Sequence, residues 1–259
     1  MAWYTLCRMT RLPQPPEGET LDQVTGDWWL FQLRRGHRFS TDDVVTGWTA
    51  GIKRPDARRL IDLGAGVGSV GLMTLHFMDP EARSIFVEAQ AVSHQLCRKT
   101  IELNGLGHRV ELRHGDLRSP ETIPETGLFD LVTGSPPYMP ADKGVVSPHP
   151  QRAACRVELR GSVFDYCRTA TRLMKPDGTF VMVHSATDPR PEEAIAEAGL
   201  VLNERRDIVF RAGRPATIAV FTSSFAGDRI DADPLVLREY DGTWAPDRSM
   251  LRRSMGFTD

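Results

Sequence analysis

The chain has 259 residues, which fits one large domain or one domain with appendages. Its 32 basic and 34 acidic residues give a formal net charge of −2, so it is not a general polyanion binder, and contact with nucleic acid would require local basic patches. The four cysteines lie far apart without a C-x-x-C pair, which argues against the common zinc sites and disulfide frameworks.

Membrane and secretion signals are missing from the sequence. No apolar run approaches the roughly 18 residues of a membrane-spanning helix, and the N-terminal segment lacks the apolar core of a secretion signal. We therefore predict a cytoplasmic protein with no membrane contact and no metal site. The sequence does not determine the oligomeric state, and we expect a monomer.

Two segments precede the predicted core. In residues 1–26, AWYTLCRM could add an edge strand, and the clustered prolines of PQPPEGE predict a surface connector. In residues 27–58, the loose alternation of WWLFQLRRGHRFS predicts a hairpin around Arg34-Arg35-Gly36. A helix follows that begins at Asp42, with Ser40 or Thr41 as its cap.

The core is predicted over residues 59–227 and begins with LIDLGAGVGSVGL. An apolar strand runs into a turn in which Gly64, Gly66 and Gly68 alternate with small residues, and then into a helix. Such a turn collects unpaired backbone N–H groups and leaves no Cβ in the way of a ligand with a flat or anionic end. The spacing G-x-G-x-G differs from the dinucleotide pattern G-x-G-x-x-G, so the turn alone is a weak indication.

Polar residues close the next predicted strands. Glu88 ends SIFVEA, twenty residues after Gly68, where a carboxylate can accept both hydroxyls of a ribose. Asp116 ends ELRHGDL, and FDLVTG runs into Ser135-Pro136-Pro137-Tyr138. These strand ends come in the order in which a doubly wound sheet would present them.

The rest of the chain continues the α/β alternation. Helices are predicted for GSVGLMTLHFM, AVSHQLCRKTIELNG, SVFDYCRTATRLMKPDG and PEEAIAEAGL, and strands for TFVMVHS, NERRDIVFR and ATIAVFTSS. Between SPPY and the helix SVFDYCRTATRLMKPDG, the segment ADKGVVSPHPQRAACRVEL predicts a mobile substrate loop. Residues 228–259 form a tail of mixed charge with little periodicity.

The ordered set DLGAGVG, VEA, GDL and SPPY resembles the amino-methylating class I S-adenosylmethionine-dependent methyltransferases, whose catalytic motif is [N/D/S]-P-P-[Y/F/W]. GHRFSTDDVVTGW and PQRAACR are similar to the bacterial tRNA adenine-N6 methyltransferases that act on tRNA-Val, and the resemblance runs from about Trp28 to Tyr240. It implies an α/β, Rossmann-like fold with a doubly wound, mostly parallel, seven-stranded sheet that ends in an antiparallel hairpin.

The resemblance implies that S-adenosyl-L-methionine is the cofactor. Thr41 and Asp42 would meet its amino group, and Arg38 would help to shape the target cavity. Asp116 would accept from the cofactor adenine, on which Leu117 would pack. The full set of predicted cofactor-site residues is Arg38, Thr41, Asp42, Asp62, Gly64, Ala65, Gly66, Gly68, Glu88, Ala89, Asp116, Leu117 and Ser135.

The predicted catalytic residues are Ser135, Pro136, Pro137 and Tyr138. An adenine amine is a poor nucleophile because its lone pair is delocalised, and two acceptors at its N–H groups would free that pair. The Ser135 hydroxyl and the Pro136 carbonyl can supply them, because the prolines hold the backbone extended, and Tyr138 would stack on the base. Serine replaces the asparagine that most of the similar tRNA enzymes carry, which leaves the identity of the methyl acceptor open.

The leading hypothesis is therefore methylation of an exocyclic adenine amine, most plausibly in tRNA. Alternatives are a protein glutamine amide, a small-molecule amine, or a module that binds the cofactor without chemistry; a nicotinamide dehydrogenase is weaker. Arginine clusters that converge near SPPY would grip RNA phosphates, although each is by default a solvated face. The clusters are Arg34-Arg35-Arg38, Arg58-Arg59, Arg152-Arg156-Arg160 and Arg205-Arg206-Arg211-Arg214.

Overall fold

The computed structural model describes residues 12–140, 151, 155 and 157–257. The edge strand predicted in AWYTLCRM and most of the loop predicted in ADKGVVSPHPQRAACRVEL lie outside the described residues. No helix in the described part of the chain has both the length and the apolar character needed to cross a bilayer.

An N-terminal hairpin precedes the core. Strand β1 (Glu19–Thr25) pairs antiparallel with β2 (Trp28–Leu33), and the turn between them contains Gly26, whose φ is +47°. The hairpin predicted around Arg34-Arg35-Gly36 is wrong, because these residues follow β2 instead of joining two strands. Strand β1 lies within residues 1–26, the segment predicted as an extension and connector, and begins at Glu19, the last residue of PQPPEGE. Its polar sequence gives only a weak strand pattern.

The central sheet has eight strands in the order β10-β8-β9-β7-β6-β3-β4-β5. Strands β3 to β7 run parallel in this sheet, and β9 runs antiparallel to both β7 and β8. The bounds are Arg59–Leu63 (β3), Arg83–Glu88 (β4), Val110–His114 (β5), Phe129–Gly134 (β6), Met174–Ser185 (β7), Val201–Val209 (β8), Ile218–Ser224 (β9) and Ile230–Val236 (β10).

The predicted fold class is confirmed, and the strand count needs one correction. All seven predicted core strands are present, but β10 adds an eighth, parallel to β8, from the segment predicted as an irregular tail. The sequence of β10 is mostly exposed and polar, so it lacks the apolar pattern that identifies a core strand. Pro234 lies where the β10–β8 register shifts, between Ala232 and Leu235, and proline is tolerated on an edge strand such as this.

Helices cover both faces of the sheet, as alternation along the strands requires. Leu60 faces one core together with Leu72 and Leu96, whereas Ile61 faces a second core with Cys167 and Ile195. The helices of the first core are α1 (Thr41–Lys53), α2 (Ser69–Phe77), α3 (Ala91–Leu103) and the C-terminal α6 (Pro246–Ser254); those of the second are α4 (Val163–Leu173) and α5 (Arg190–Glu197).

Two glycines let α1 pack closely against α2. A Cβ on Gly47 would lie 2.5 Å from the Cβ of Met73, and a Cβ on Gly51 would collide with the ring of Phe77. Of the two predicted caps, Ser40 is the N-cap of α1, and the helix begins at Thr41, one residue before the predicted start. The Asp43 carboxylate accepts a 2.9 Å bond from the Ser40 N–H. The close packing fixes the N-terminal end of α1 beside the start of α2, where the Ser69 hydroxyl donates to Asp43 at 2.7 Å.

The substitution Gly47→Ala tests this packing. Alanine favours a helix more than glycine, but its Cβ would force α1 away from Met73, so we expect a loss of about 1–3 kcal/mol and a Tm lower by several degrees. The control is Gly107→Ala, because a Cβ at Gly107 meets nothing within 4 Å. Thermal unfolding followed by circular dichroism measures both; equal Tm values for Gly47→Ala and the parent protein would refute the close contact.

Candidate active site

A cavity of about 450 Å³ opens at the carboxyl ends of β3, β4 and β6. Its size is typical of pockets for small ligands. Strand order reverses here, since β3 lies between β4 and β6, and such a switch point is where open α/β sheets bind ligands. The predicted residues that line the cavity are Asp42, Asp62, Gly64, Ala65, Gly66, Glu88, Ala89, Leu117, Ser135, Pro136, Pro137 and Tyr138.

The glycine turn forms one wall. Gly64, Gly66 and Gly68 have φ values of +64°, +58° and +92°, a region that other residues rarely adopt. A Cβ on Gly64 would collide with the Tyr166 hydroxyl, whereas a Cβ on Gly66 would meet nothing within 4 Å. The backbone at Gly66 is therefore open to close approach by a ligand.

The Glu88 carboxylate is held against this turn. It is 5% exposed and accepts hydrogen bonds from the N–H of Gly66 at 2.8 Å and the N–H of Gln90 at 2.6 Å. Burial raises its pKa above the ordinary value, although these two donors and the charge of Arg160 oppose the shift. Each oxygen keeps further lone-pair capacity, which can accept the paired hydroxyls of a ribose.

Asp62 lines the cavity but directs both oxygens into the fold. It is 1% exposed and accepts from the Gly71 N–H at 2.9 Å and the Thr133 hydroxyl at 2.7 Å. These bonds connect β3 to the first turn of α2 and to β6. Burial raises the pKa of Asp62 to about 7 despite the two donors. Its geometry is that of a residue that positions the glycine turn.

Two carboxyl groups lie at the N-terminal end of α1. Asp43 accepts from Ser69 and Ser40, and burial, reinforced by the charge of Asp42, raises its pKa to about 7. Asp42 accepts from the Ser40 hydroxyl and, at 3.3 Å, from the Tyr138 hydroxyl. With Glu88, these two groups place three carboxyl side chains on the described wall of the cavity, which suits a cationic ligand better than a polyphosphate.

The segment Ser135-Pro136-Pro137-Tyr138 follows β6 and forms a further part of the cavity wall. The Ser135 and Tyr138 side chains line this part of the cavity together, and the Tyr138 hydroxyl donates to Asp42 at 3.3 Å. Burial, then the charges of Asp42 and Asp43, raise the pKa of Tyr138 well above its ordinary value, so its phenol stays protonated and can donate to Asp42.

Residues beyond the motif hold Tyr138 in place. Its ring packs on the buried His184, with centroids 4.8 Å apart, and burial lowers the pKa of His184 to about 4, so this imidazole is neutral. Arg190 donates to the Tyr138 carbonyl at 3.0 Å while bound to Glu158 at 2.6 Å and to Asp188 at 2.6 Å.

Four predicted cofactor residues lie outside the cavity wall. Arg38 is bound to Asp22 and Thr20 of the hairpin, and the Asp116 carboxylate makes two bonds to the Arg118 guanidinium. Thr41 is the first residue of α1, and Gly68 precedes the first residue of α2. Cofactor contact by these four residues stays a prediction.

Sequence analysis missed several residues of the site. The pattern Ser40-Thr41-Asp42-Asp43 contains a capping box that could have indicated Asp43. Ser69, Tyr166 and Arg190 carry no such signal, because the site residues that they contact, Asp43, Gly64 and Tyr138, are distant in the sequence. Among the described residues, no three His, Cys, Asp or Glu side chains converge into a group that could hold a metal ion.

The arginine clusters do not act as units. Arg152 and Arg156 lie outside the described residues, whereas Arg160 lines the cavity. Ion pairs engage Arg38 with Asp22, Arg58 with Asp79, Arg205 with Glu192 and Arg206 with Glu204.

The raised pKa of Asp62 predicts a pH effect on stability. The ordinary value is 3.8, so between about pH 4 and pH 7 the folded protein keeps a proton that the unfolded chain has released. This group's contribution to the free energy of unfolding therefore falls across that window and is constant above it. In urea titrations, Asp62→Asn should make the decline with pH shallower by up to about 1.4 kcal/mol per unit. Equal slopes would mean that Asp62 is ionised in the folded protein.

Comparison with known proteins agrees with this geometry. The family model for the methyltransferase small domain matches residues 46–198. The tRNA1(Val) (adenine(37)-N6)-methyltransferase of Cronobacter sakazakii is 26% identical over 211 residues, covering 81% of this chain and 84% of that protein. The protein of the same name from Shewanella sediminis is 28% identical over 173 residues, covering 64% and 65%.

Solved structures share the fold. Atu636 from Agrobacterium tumefaciens, a predicted O-methyltransferase, superimposes with a TM-score of 0.63 at 20% identity and covers 84% of this chain and 98% of its own. Pyrococcus horikoshii TYW2, solved in complex with MeSAdo, gives 0.57 at 14% identity and covers 81% and 72%. Because the family model spans more than half of the chain, and the fold and cavity agree with it, the protein belongs to the methyltransferase small domain family and is an S-adenosylmethionine-dependent methyltransferase.

Proposed function

We propose that the protein methylates the exocyclic amine of an adenine, and that the adenine belongs to a tRNA. One observation carries the proposal: Ser135-Pro136-Pro137-Tyr138 lines the same cavity as Gly66 and Glu88. A cofactor on the glycine turn and a base at the SPPY segment would therefore share one enclosed space.

The cavity residues fit S-adenosylmethionine. Glu88 would accept the ribose hydroxyls, and the buried Leu117 offers an apolar surface to the adenine. Asp42 and Asp43 would face the cationic amino group. When bound, this cofactor supplies a methyl group already activated on a sulfonium. A dinucleotide would instead bring its diphosphate against the carboxyl groups, which disfavours the nicotinamide alternative.

The SPPY segment would prepare the nucleophile. Ser135 lines the cavity beside Tyr138, whose hydroxyl donates to Asp42, so the Ser135 hydroxyl oxygen would accept from one N–H of an incoming amine. The Pro136 carbonyl would accept from the second N–H, and the backbone is held by the prolines and by Arg190 on the Tyr138 carbonyl. Both acceptors would favour a pyramidal nitrogen, and positioning would supply much of the rate.

The choice of tRNA is supported by the names of the similar sequences, which are tRNA1(Val) (adenine(37)-N6)-methyltransferases. A base in an RNA loop is already unstacked or easily everted, so a pocket with backbone contacts suffices to bind it.

Product analysis tests this function. The protein is incubated with methyl-labelled S-adenosylmethionine and either unmodified tRNA or a protein extract, and the digests are separated by mass spectrometry. We expect label in N6-methyladenosine from tRNA. Label in protein glutamine, or in neither macromolecule, would contradict the proposal.

Ser135→Ala should lower kcat about 100-fold, the usual size for loss of one hydrogen-bonding group at a reacting centre. Tyr138→Ala should have a comparable effect, and Tyr138→Phe separates its ring from its hydroxyl. Each variant should bind the cofactor with nearly the parental Kd, measured by calorimetry. A parallel loss of cofactor affinity would contradict the assigned geometry.

Glu88→Ala should weaken cofactor binding, in contrast to the substitutions at Ser135 and Tyr138. Loss of charged hydrogen bonds of this kind costs about 1.5–3 kcal/mol, so the Kd for S-adenosylmethionine should rise at least tenfold. Glu111→Ala, an exposed acid on β5, is the matched control. Calorimetry that gave Glu88→Ala the parental Kd would rule out ribose recognition by Glu88.

A further inference from the structure

Two loops emerge beside the active site at the carboxyl edge of the sheet. One joins β8 to β9 over residues 210–217, and the other follows β10 over residues 237–245. Ile218 pairs with both Ser185, at the end of β7, and Ile208, so the first loop lies at the edge where β6 and β7 end. Strands are about 4.8 Å apart, which puts β8 about 15 Å from β6 and its SPPY segment.

Two arginines stack on one tryptophan here: Arg238 and Trp244 belong to the second loop, and Arg248 lies in the first turn of α6. The guanidiniums of Arg238 and Arg248 lie 3.4 Å and 3.5 Å from the ring centroid of Trp244. Two groups so close to one ring centre must occupy its opposite faces, so the three side chains form a sandwich with a cation at each end. Trp244 is 49% exposed. The outer side of a stacked guanidinium can bind a phosphate or stack on a base.

Tyr240 adds an open aromatic surface. It is 78% exposed, and its ring rests on Gly213, where a Cβ would lie only 2.6 Å from it. In the reverse direction, Arg211 of the first loop packs on Gly242 of the second loop, where a Cβ would collide with the Arg211 guanidinium. Both glycines have positive φ, so the two loops are shaped to interlock.

The charge of this region differs from that of the whole chain. Residues 210–217 and 237–257 contain six arginines and three acidic residues, in a protein whose net charge is −2. Within the described part of the chain, neither Arg211 nor Arg214 forms an ion pair, whereas Arg205 and Arg206 of the same predicted cluster are neutralised by acids.

We propose that this C-terminal surface, formed by Arg211, Arg214, Arg238, Tyr240, Trp244 and Arg248, binds the tRNA arm whose target adenine enters the cavity. The inference rests on the proposed function and adds the part of the protein that holds the substrate. Arginines would bind phosphates, and Tyr240 would stack on an unpaired base. Exposed aromatic rings interleaved with arginines are the combination that single-stranded RNA requires.

Binding measurements with in vitro-transcribed tRNA-Val test the surface. In Arg211→Gln/Arg214→Gln we expect the Kd for tRNA to rise about tenfold and the slope of log K against log salt to fall by about 2, one for each lost phosphate contact. Tyr240→Ala should raise the Kd at least about fivefold with the parental salt slope. The Kd for S-adenosylmethionine and the Tm should stay at parental values in both.

The control variant removes the same number of positive charges at the opposite edge of the sheet. Arg58 and Arg83 lie at the amino ends of β3 and β4 and are largely exposed, so Arg58→Gln/Arg83→Gln should bind tRNA as the parent does. Equal weakening by the control would show that only net charge matters and would overturn the surface. Parental tRNA affinity in both surface variants, with tRNA methylation by the parent, would overturn the surface and leave the proposed function standing. A parent that neither binds nor methylates tRNA would overturn both.

Discussion

The buried carboxyl group of Asp62 joins the elements that create the cavity. It belongs to β3, accepts from Gly71 in α2 and accepts from Thr133 in β6, so one side chain spans the point where strand order reverses. The glycine turn runs between these bonded positions, so both of its ends are fixed, and the space beside Gly66 is open. Glu88 then closes the turn from β4 through the Gly66 N–H. The cavity exists because three neighbouring strand ends are tied together around an unfilled glycine position.

The electrostatics of the cavity follow from the same burial. Carboxyl groups removed from water favour their protonated form, and burial raises the pKa of both Asp43 and Asp62 to about 7. Near the SPPY segment, His184 is neutral and Tyr138 is protonated, so the Tyr138 hydroxyl donates its hydrogen bond to Asp42.

The sequence predicted the fold class and the wall residues that follow strands, because parallel strands must present their carboxyl ends at one edge. Gly66, Glu88 and Ser135 could be identified in this way. The support given by Ser69 to Asp43 and by Arg190 to Tyr138 could not, since each contact joins segments distant in the chain. Strand β10 was missed because an edge strand with exposed polar residues and a proline lacks the apolar pattern of a core strand. The stack of Arg238 on Trp244 could not be predicted either, because Arg238 lies just beyond the end of that strand.

A crystal structure of the protein with S-adenosylhomocysteine, the demethylated cofactor, tests the central claim most directly. We predict that the ribose hydroxyls bind Glu88, that the adenine lies against Leu117, and that the sulfur faces the gap between the glycine turn and the Ser135 hydroxyl. A ligand bound elsewhere, or bound here with its sulfur turned away from Ser135, would contradict the account.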